Sequence, residues 1–472
     1  MAEAMERSTH HVTAPEDRIP IFQKAIYSIG ALVNQTQAAA IGAMVLVLNL
    51  GLGVNPVLVG LVGTIPRVLD AFTDPMIGYT SDNTRTRYGR RRPFIFFGAL
   101  FSGLLFALMF QLYKGHTESY YFWYFLVIQC LFVVAFAFYS IPWIALGFEM
   151  TPDYHERTRL QGTGNVIAQF AWLMSPWLFN LMYTTKDVVH GARTLAIVFG
   201  VFIAVGGILP AIFNKEYFHN LPKPQKKNVM HDFFSGCAIT LKNRPFLKLC
   251  AVTFLVFNGF MLASAFSAYV IFFYDYGGDY GKGGTLLGWF GTATALSNFC
   301  IISLITWVAT KIGKRNTFLI TIPISIVGYA LKWVGYNPGH PYLLLIAAPF
   351  IAFGLGSVFT LVSSMLADVC DLDEIQTGTR REGIFGAIYW WMIKLGQAAA
   401  SLISGLLLNA TGFNVALGAH QTTHALLWMR ICDIGIPIVT SIIAIFIIMT
   451  FDITEDKAYD IRKQLEERRG KA

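Results

Sequence analysis

Charge is scarce in this sequence. Asp, Glu, Lys and Arg together supply 14% of its 472 residues, where soluble domains run nearer ~25%. With 55% hydrophobic residues and a mean hydropathy of +0.52, that shortage excludes an ordinary soluble enzyme. Cysteine is scarce too. Cys130, Cys237, Cys250, Cys300, Cys370 and Cys432 lie in apolar segments or in loops on the basic side, and none forms a CxxC pair. Neither a disulfide frame nor a thiolate metal site is expected. The first twenty residues lack a short apolar core and carry Glu3, Glu6, Glu16, Asp17 and Arg18. A cleaved signal peptide is therefore not expected, and the first long helix directs insertion. Nothing in the sequence reads as a nucleotide-binding domain, which argues against direct ATP drive.

Long apolar runs are what the chain has in excess. About twelve of them, each near the ~20 residues of a transmembrane helix, fall near 24–50, 54–80, 93–113, 121–148, 161–183, 193–213, 246–274, 285–310, 317–336, 341–366, 383–409 and 424–451. The expected fold is an all-α polytopic membrane protein. The longest polar stretch, Asn214 to Arg244 with LPKPQKKN, divides the runs six and six. This gives an N-terminal six-helix half over 1–213, a cytoplasmic linker over 214–245, a C-terminal six-helix half over 246–451 and a cytoplasmic tail over 452–472.

The net charge of +8 is spread among the loops. No basic domain remains to bind a polyanion, so no nucleic-acid partner is expected. One set of loops holds Arg85, Arg87, Arg90, Arg91 and Arg92, Arg157 and Arg159, Lys215 to Arg244, Lys311 to Arg315, Arg380 and Arg381, and the tail from Lys457 to Lys471. The other set holds little beyond Lys114, Lys186, Arg193 and Lys282. By the positive-inside rule this places both termini in the cytoplasm, in a plasma (inner) membrane. The exits of the fourth and tenth runs, FEMTPDYHERTRLQG and LADVCDLDEIQTGTRREG, each place acidic residues before an Arg pair at matching positions. Parallel six-helix halves with substrate at the midplane between them are the arrangement of the major facilitator fold.

Two suggestive segments fail as sites. YGGDYGKGGT has the wrong glycine spacing for a phosphate loop, and Gly283 replaces the Ser or Thr that magnesium needs. His420 and His424 share a helix face, but Gln421 stands where a zinc protease needs Glu. Neither a cofactor nor enzymatic chemistry is expected.

The few ionisable residues inside the runs carry the functional reading. Arg67, Asp70 and Asp74 lie three and four apart, on one helix face. Each charge near the bilayer centre costs about 2.5–3.5 kcal/mol on insertion scales, and such residues face a bundle interior. One Arg cannot neutralise two aspartates. The surplus requires a cation, a proton, or a basic partner such as Lys394 in the eleventh run. Two carboxylates on adjacent turns offer hard oxygen ligands to Na⁺; alternatively, their repulsion lets one carry a proton. Thr73 adds a hydroxyl, and Pro75 frees the Ala71 carbonyl. A purely structural charge network is the competing account. Arg430 and Asp433, three apart in the twelfth run, read as a self-neutralising structural pair.

RVLDAFTDPMIGYTSDNTRTRYGRRRP and LADVCDLDEIQTGTRREGIFGAIYWWMIKLGQA resemble the hallmark segments of the glycoside–pentoside–hexuronide:cation symporters of the major facilitator superfamily. The resemblance covers essentially the whole chain. It implies Na⁺- or H⁺-driven symport of a sugar or glycoside by alternating access. It also implies that Asp70 and Asp74 are the cation-site carboxylates, Arg67 the span-two arginine and Lys394 the lysine beside the site. The sequence departs where the family's galactoside carrier has charges: Asn34-Gln35 and Ser140 replace acidic residues, and Asn165 replaces an arginine. These neutral groups still hydrogen-bond hydroxyls, and Trp143, Trp172, Trp390 and Trp391 offer aromatic faces. The expected partners are a small-molecule substrate of the sugar class, a coupling cation and the lipid bilayer. Helix-end residues Asp82, Arg90, Arg91, Glu149, Arg157, Asp371 and Arg381 are candidates for ion pairs that latch the outward-facing state. The alternatives are a carrier of a non-sugar substrate such as a lysolipid and a non-transporting membrane sensor on the same fold.

Overall fold

Side-chain caps start many of the helices. Asn55 Oδ1 accepts the Val57 N–H at 2.8 Å, Asn243 that of Phe246 at 3.0 Å and Thr422 that of Ala425 at 3.1 Å. Each satisfies a first-turn donor that has no partner within its helix. The apolar runs behind the caps become the spans. The computed structural model describes residues 18–151, 154–185, 187–216, 242–377 and 382–469. In the first half these form α1 (Ile21–Leu50), α2 (Pro56–Asn83), α3 (Arg92–Met109), α4 (Glu118–Glu149), α5 (Tyr154–Met174, continued by Leu178–Tyr183) and α6 (Val188–Phe213). The second half holds α7 (Arg244–Asp275), α8 (Tyr280–Ile312), α9 (Lys314–Gly335), α10 (Pro341–Thr377), α11 (Glu382–Ala410) and α12 (Thr423–Met449), followed by the short α13 (Glu455–Arg469).

Among the described residues, eleven helices are long and apolar enough to cross a membrane, and the chain is an integral membrane protein. The helix outside that set of spans, besides α13, is α5. Its first turns, YHERTRLQGTGN, are polar. Ser175–Trp177 then tightens into a 3-10 turn, because Pro176 cannot donate the next α-helical hydrogen bond. The expected run over 161–183 is thus a broken helix that begins at Tyr154.

The packing repeats with an offset of six helices. In the first half α1 packs on α5 and α6, α3 on α4 and α6, and α2 on α4; α7, α9 and α8 repeat these pairings with α11 and α12, α10 and α12, and α10. The halves meet through α2 against α11 and α5 against α8, two contacts exchanged by the same offset. The expected linker over 214–245 lies mostly outside the described residues, as does Cys237.

We call the end where the described chain begins and finishes the base, and the opposite end the rim. At the base the repeat builds the same clasp twice. Glu149 at the end of α4 pairs with Arg90 at 2.5 Å and Arg91 at 3.1 Å at the start of α3. Asp368 near the end of α10 pairs with Lys314 at the start of α9 at 2.7 Å. The Glu216 carboxylate accepts the Arg90, Arg91 and Arg92 backbone N–H groups at 2.7, 2.7 and 3.0 Å, capping α3 where its dipole favours an anion.

The rim is where the halves are sealed. One buried apolar cluster runs from the first half across the rim into Phe266–Phe273 of α7, while a second is confined to the base side of the second half. Small residues let the helices touch. A Cβ added at Gly60 would lie 2.7 Å from the Ser401 carbonyl oxygen, and one at Gly405 only 2.3 Å from that of Pro56. Thr64 donates to the Ala398 carbonyl at 2.9 Å, and Trp177 to Thr292 at 2.8 Å. The substitution Gly405→Val is therefore expected to force α2 and α11 apart and hold the rim open. Maleimide labelling of a cysteine placed at the rim should then rise several-fold; labelling no faster than in the parent would show that the seal does not depend on this contact.

Candidate functional site

Two prolines shape α2. Pro66 and Pro75 sit inside the helix, where neither can donate to the preceding turn and each frees a carbonyl four residues back. Between them lies Asp70, and Asp74 follows one turn later; the first is buried and the second half-buried. The Thr73 hydroxyl bonds the Asp70 carbonyl at 3.4 Å. The counter-charge comes from the other half of the molecule. Lys394 Nζ on α11 donates to Asp70 Oδ2 at 2.9 Å and also to Asp74 Oδ2. Arg67 lies one turn earlier, half-buried, and it is Lys394 that bridges the aspartates. With Arg67 one turn away, the two carboxylates face two cationic groups while Lys394 bridges them, and withdrawing Lys394 leaves one negative charge in excess. A low-dielectric site does not tolerate an unpaired charge, so this group has room for one monovalent cation or one proton.

The residues expected to meet a substrate are only partly brought together. Asn34 and Gln35 are half-buried on α1, and Asn165 is exposed on α5. Gln35 Oε1 accepts the Trp172 indole N–H at 3.0 Å, which ties α1 to α5. Asn34 Oδ1 is buried with no hydrogen-bond partner among the described residues. Trp390 is 55% exposed on α11, one turn before Lys394 and on the same helix face; Trp391 is half-buried. Ser140 and Trp143 are buried. Trp143 stacks on Tyr27 with ring centroids 4.8 Å apart and lies parallel to Tyr139. It belongs to the core of the first half in this conformation, contrary to its expected place on a sugar-facing wall.

The expected gating residues hold one half together. Arg90 and Arg91 pair with Glu149, Arg91 donates to Ser81 at 2.6 Å, and Arg157 donates to the Thr151 carbonyl at 3.2 Å. These bonds join α2, α3, α4 and α5 at the base and do not cross between halves. Asp371 lies on α10; the side chain of Asp82 and all of Arg381 fall outside the described residues.

A second charged cluster escaped the sequence reading. Lys332 on α9 is 1% exposed and Asp433 on α12 is 0% exposed. Lys332 Nζ donates to Asp433 Oδ1 at 2.7 Å and to Ser267 Oγ at 2.8 Å, and the Tyr336 hydroxyl donates to Asp433 Oδ2 at 2.6 Å. Arg430 is not the partner of Asp433. Its guanidinium lies 4.2 Å over the Tyr274 ring and 4.3 Å over the Trp333 ring, donating to the Trp333 carbonyl at 3.0 Å. Residues three apart are neighbours on a helix, but a cross-helix cation reached Asp433 instead. Lys332, in LKWVGY near a helix end, reads in sequence like a boundary lysine.

The comparisons with known proteins agree with this architecture. The family model described as MFS/sugar transport protein matches residues 26–455. The chain is 26% identical to a glucuronide carrier protein homolog of Escherichia coli, over 94% of this chain and 95% of that protein. It is 24% identical to sodium-dependent lysophosphatidylcholine symporter 1-B of Danio rerio, over 96% of this chain and 91% of that protein. The solved D-xylose-proton symporter shares the fold with a TM-score of 0.61 at 13% identity, covering 93% of this chain and 99% of that one. Repeating six-helix halves and a charged group built across their contact accompany a family match over nearly all of the chain: the protein belongs to the MFS/sugar transport family and is a major facilitator symporter of the glycoside–pentoside–hexuronide:cation type.

Proposed function

We propose that this symporter couples one Na⁺ or H⁺, taken up at Asp70 and Asp74, to the movement of a sugar or glycoside. It works by alternating access in a plasma (inner) membrane, with both termini cytoplasmic. The base is then the cytoplasmic end, and the conformation described, sealed at the rim, is inward-facing. The observation that carries this reading is the Lys394 bridge. Lys394 and the two aspartates stand on different halves, so any rocking of the halves changes the distance between them. While Lys394 fills the site, the carboxylates have little need of a second cation. When α11 moves away, they carry two uncompensated charges and capture one. Arg67 then adds a fixed positive charge one turn away, which limits the site to a single cation.

A sugar suits the neutral polar groups of α1 and α5. The Asn34 carbonyl oxygen and the exposed Asn165 amide can meet hydroxyls, and Trp390 offers an apolar face one turn from Lys394. A lysolipid is the competing substrate class. The relatives' names divide in the same way, one a glucuronide carrier and one a lysophosphatidylcholine symporter. Counterflow in proteoliposomes against a panel of labelled sugars, with and without sodium, decides. Flux of one sugar that lysophosphatidylcholine does not inhibit is the expected result. Inhibition by the lysolipid with no sugar flux would move the substrate class, and no flux of either would refute the proposed substrates.

A further inference from the structure

Asp275 ends α7 at the rim, and the cation site makes no use of it. It is 5% exposed, and both carboxylate oxygens are buried without a hydrogen-bond partner among the described residues. An ionised carboxylate so placed is strongly disfavoured, and the neutral acid far less so. The groups facing it are few, and most are engaged elsewhere. From α12 comes Arg430, whose charge reaches Asp275; Asp433 on the same helix is paired with Lys332 of α9. From α9 comes Tyr336, its hydroxyl committed to Asp433. The chain beyond α7 supplies Tyr276 and Asp279, which accepts the Gly281 and Lys282 N–H groups at 3.1 Å each. Arg430 lies on the Tyr274 and Trp333 rings and donates one N–H to the Trp333 carbonyl, while its Nε is buried with no hydrogen-bond partner among the described residues.

The position of Asp275 gives its burial a consequence. It closes the π-helical turn Val270–Asp275, a geometry frequent at functional sites. That turn and the residue before it are wedged into the rim seal. Phe272 packs on Phe179 of α5 with ring centroids 4.5 Å apart, and the Tyr269 hydroxyl donates to Asn49 Oδ1 of α1 at 3.0 Å. Both partners belong to the other half. When the halves part at the rim these contacts are lost and water reaches the turn.

We propose that Asp275 is a proton-binding site, separate from Asp70 and Asp74, that holds a proton while the rim is sealed and releases it when the rim opens. On opening, the carboxylic O–H bond breaks, the proton passes to bulk water and the carboxylate is left facing water and Arg430; closing reverses the step. Proton uptake belongs to the sealed state, so acid favours the seal and rising pH favours opening. For one proton the shift is at most about tenfold per pH unit.

The test uses the full chain in proteoliposomes and does not depend on the substrate. The readout is the maleimide labelling rate of a cysteine introduced at Tyr183, a rim residue packed on Tyr280, divided at each pH by that of a reference cysteine at the exposed Lys114, which removes the thiolate's own pH dependence. Labelling should rise with pH in the otherwise unaltered protein and stay slow and nearly pH-independent in Asp275→Asn, a fixed mimic of the neutral acid. Difference infrared spectra at neutral pH should show a protonated-carboxyl band that Asp275→Asn removes and Asp275→Glu displaces. An unchanged pH profile in Asp275→Asn overturns the proposal. Should that variant not fold, a band left unmoved by Asp275→Glu overturns it equally. Cation dependence arising at Asp70 and Asp74 should persist in both variants, which keeps failure here distinct from failure of the symport reading.

Discussion

Asp74→Asn is expected to abolish cation-driven accumulation while leaving downhill exchange of substrate intact. Removing one carboxylate leaves Asp70 and Lys394, one charge of each sign and already 2.9 Å apart. The remaining carboxylate is then already paired, and nothing remains to make substrate movement depend on a cation. One co-transported charge at ~100 mV supplies about 2.3 kcal/mol, or about fortyfold accumulation; this is the gradient that Asp74→Asn should collapse. Uptake measured against an imposed membrane potential gives the loss, and equilibrium exchange in the same vesicles shows that the carrier still cycles. Undiminished accumulation would remove Asp74 from the coupling site. The opposite change, Lys394→Met, leaves two carboxylates with no competitor and should retain the cation in the inward-facing state, slowing its release.

Lys332→Met carries the largest expected loss of stability. Lys332 and Asp433 are fully buried and bonded to each other, to Ser267 and to Tyr336, so the cluster binds α7, α9 and α12 together. Removing one member leaves a buried carboxylate uncompensated, which costs about 3–5 kcal/mol. Replacing both, as in Lys332→Met with Asp433→Asn, should recover most of that loss, because no net buried charge remains. Thermal unfolding in detergent, followed for the single and double variants, measures the difference. Arg430→Met should cost less, since the half-buried Arg430 forfeits cation–π contacts of about 0.5–2 kcal/mol and leaves Asp433 paired. Equal losses for Arg430→Met and Lys332→Met would contradict the assignment of Lys332 as the partner of Asp433.

The spans were legible because the bilayer demands apolar runs of fixed length, and eleven of the expected twelve meet that demand within the described residues. The exception, α5, has polar early turns and a Pro176 break, so hydropathy marks only its later part. Asp70, Asp74 and Lys394 were legible for a related reason: a charge within an apolar run is conspicuous and needs a partner of opposite sign. Which partner it finds is not written locally. Asp433 has Arg430 three residues away yet pairs with Lys332, a choice set by how α9 and α12 are rotated against each other. Trp143 failed in the same way, since an aromatic on α4 can face a cavity or Tyr27, and periodicity does not distinguish them. Asp275 looked like the start of a loop; its burial comes from α7 ending inside the rim seal.

The most direct test of the symport mechanism is the transient current that follows a substrate jump onto proteoliposomes adsorbed on a solid-supported membrane. An uncharged sugar carried with one cation moves one positive charge per cycle. The account predicts an inward current for the wild-type protein that requires both the sugar and the coupling cation and that vanishes in Asp74→Asn. Sugar flux with no current, or a current of equal size in Asp74→Asn, would contradict it.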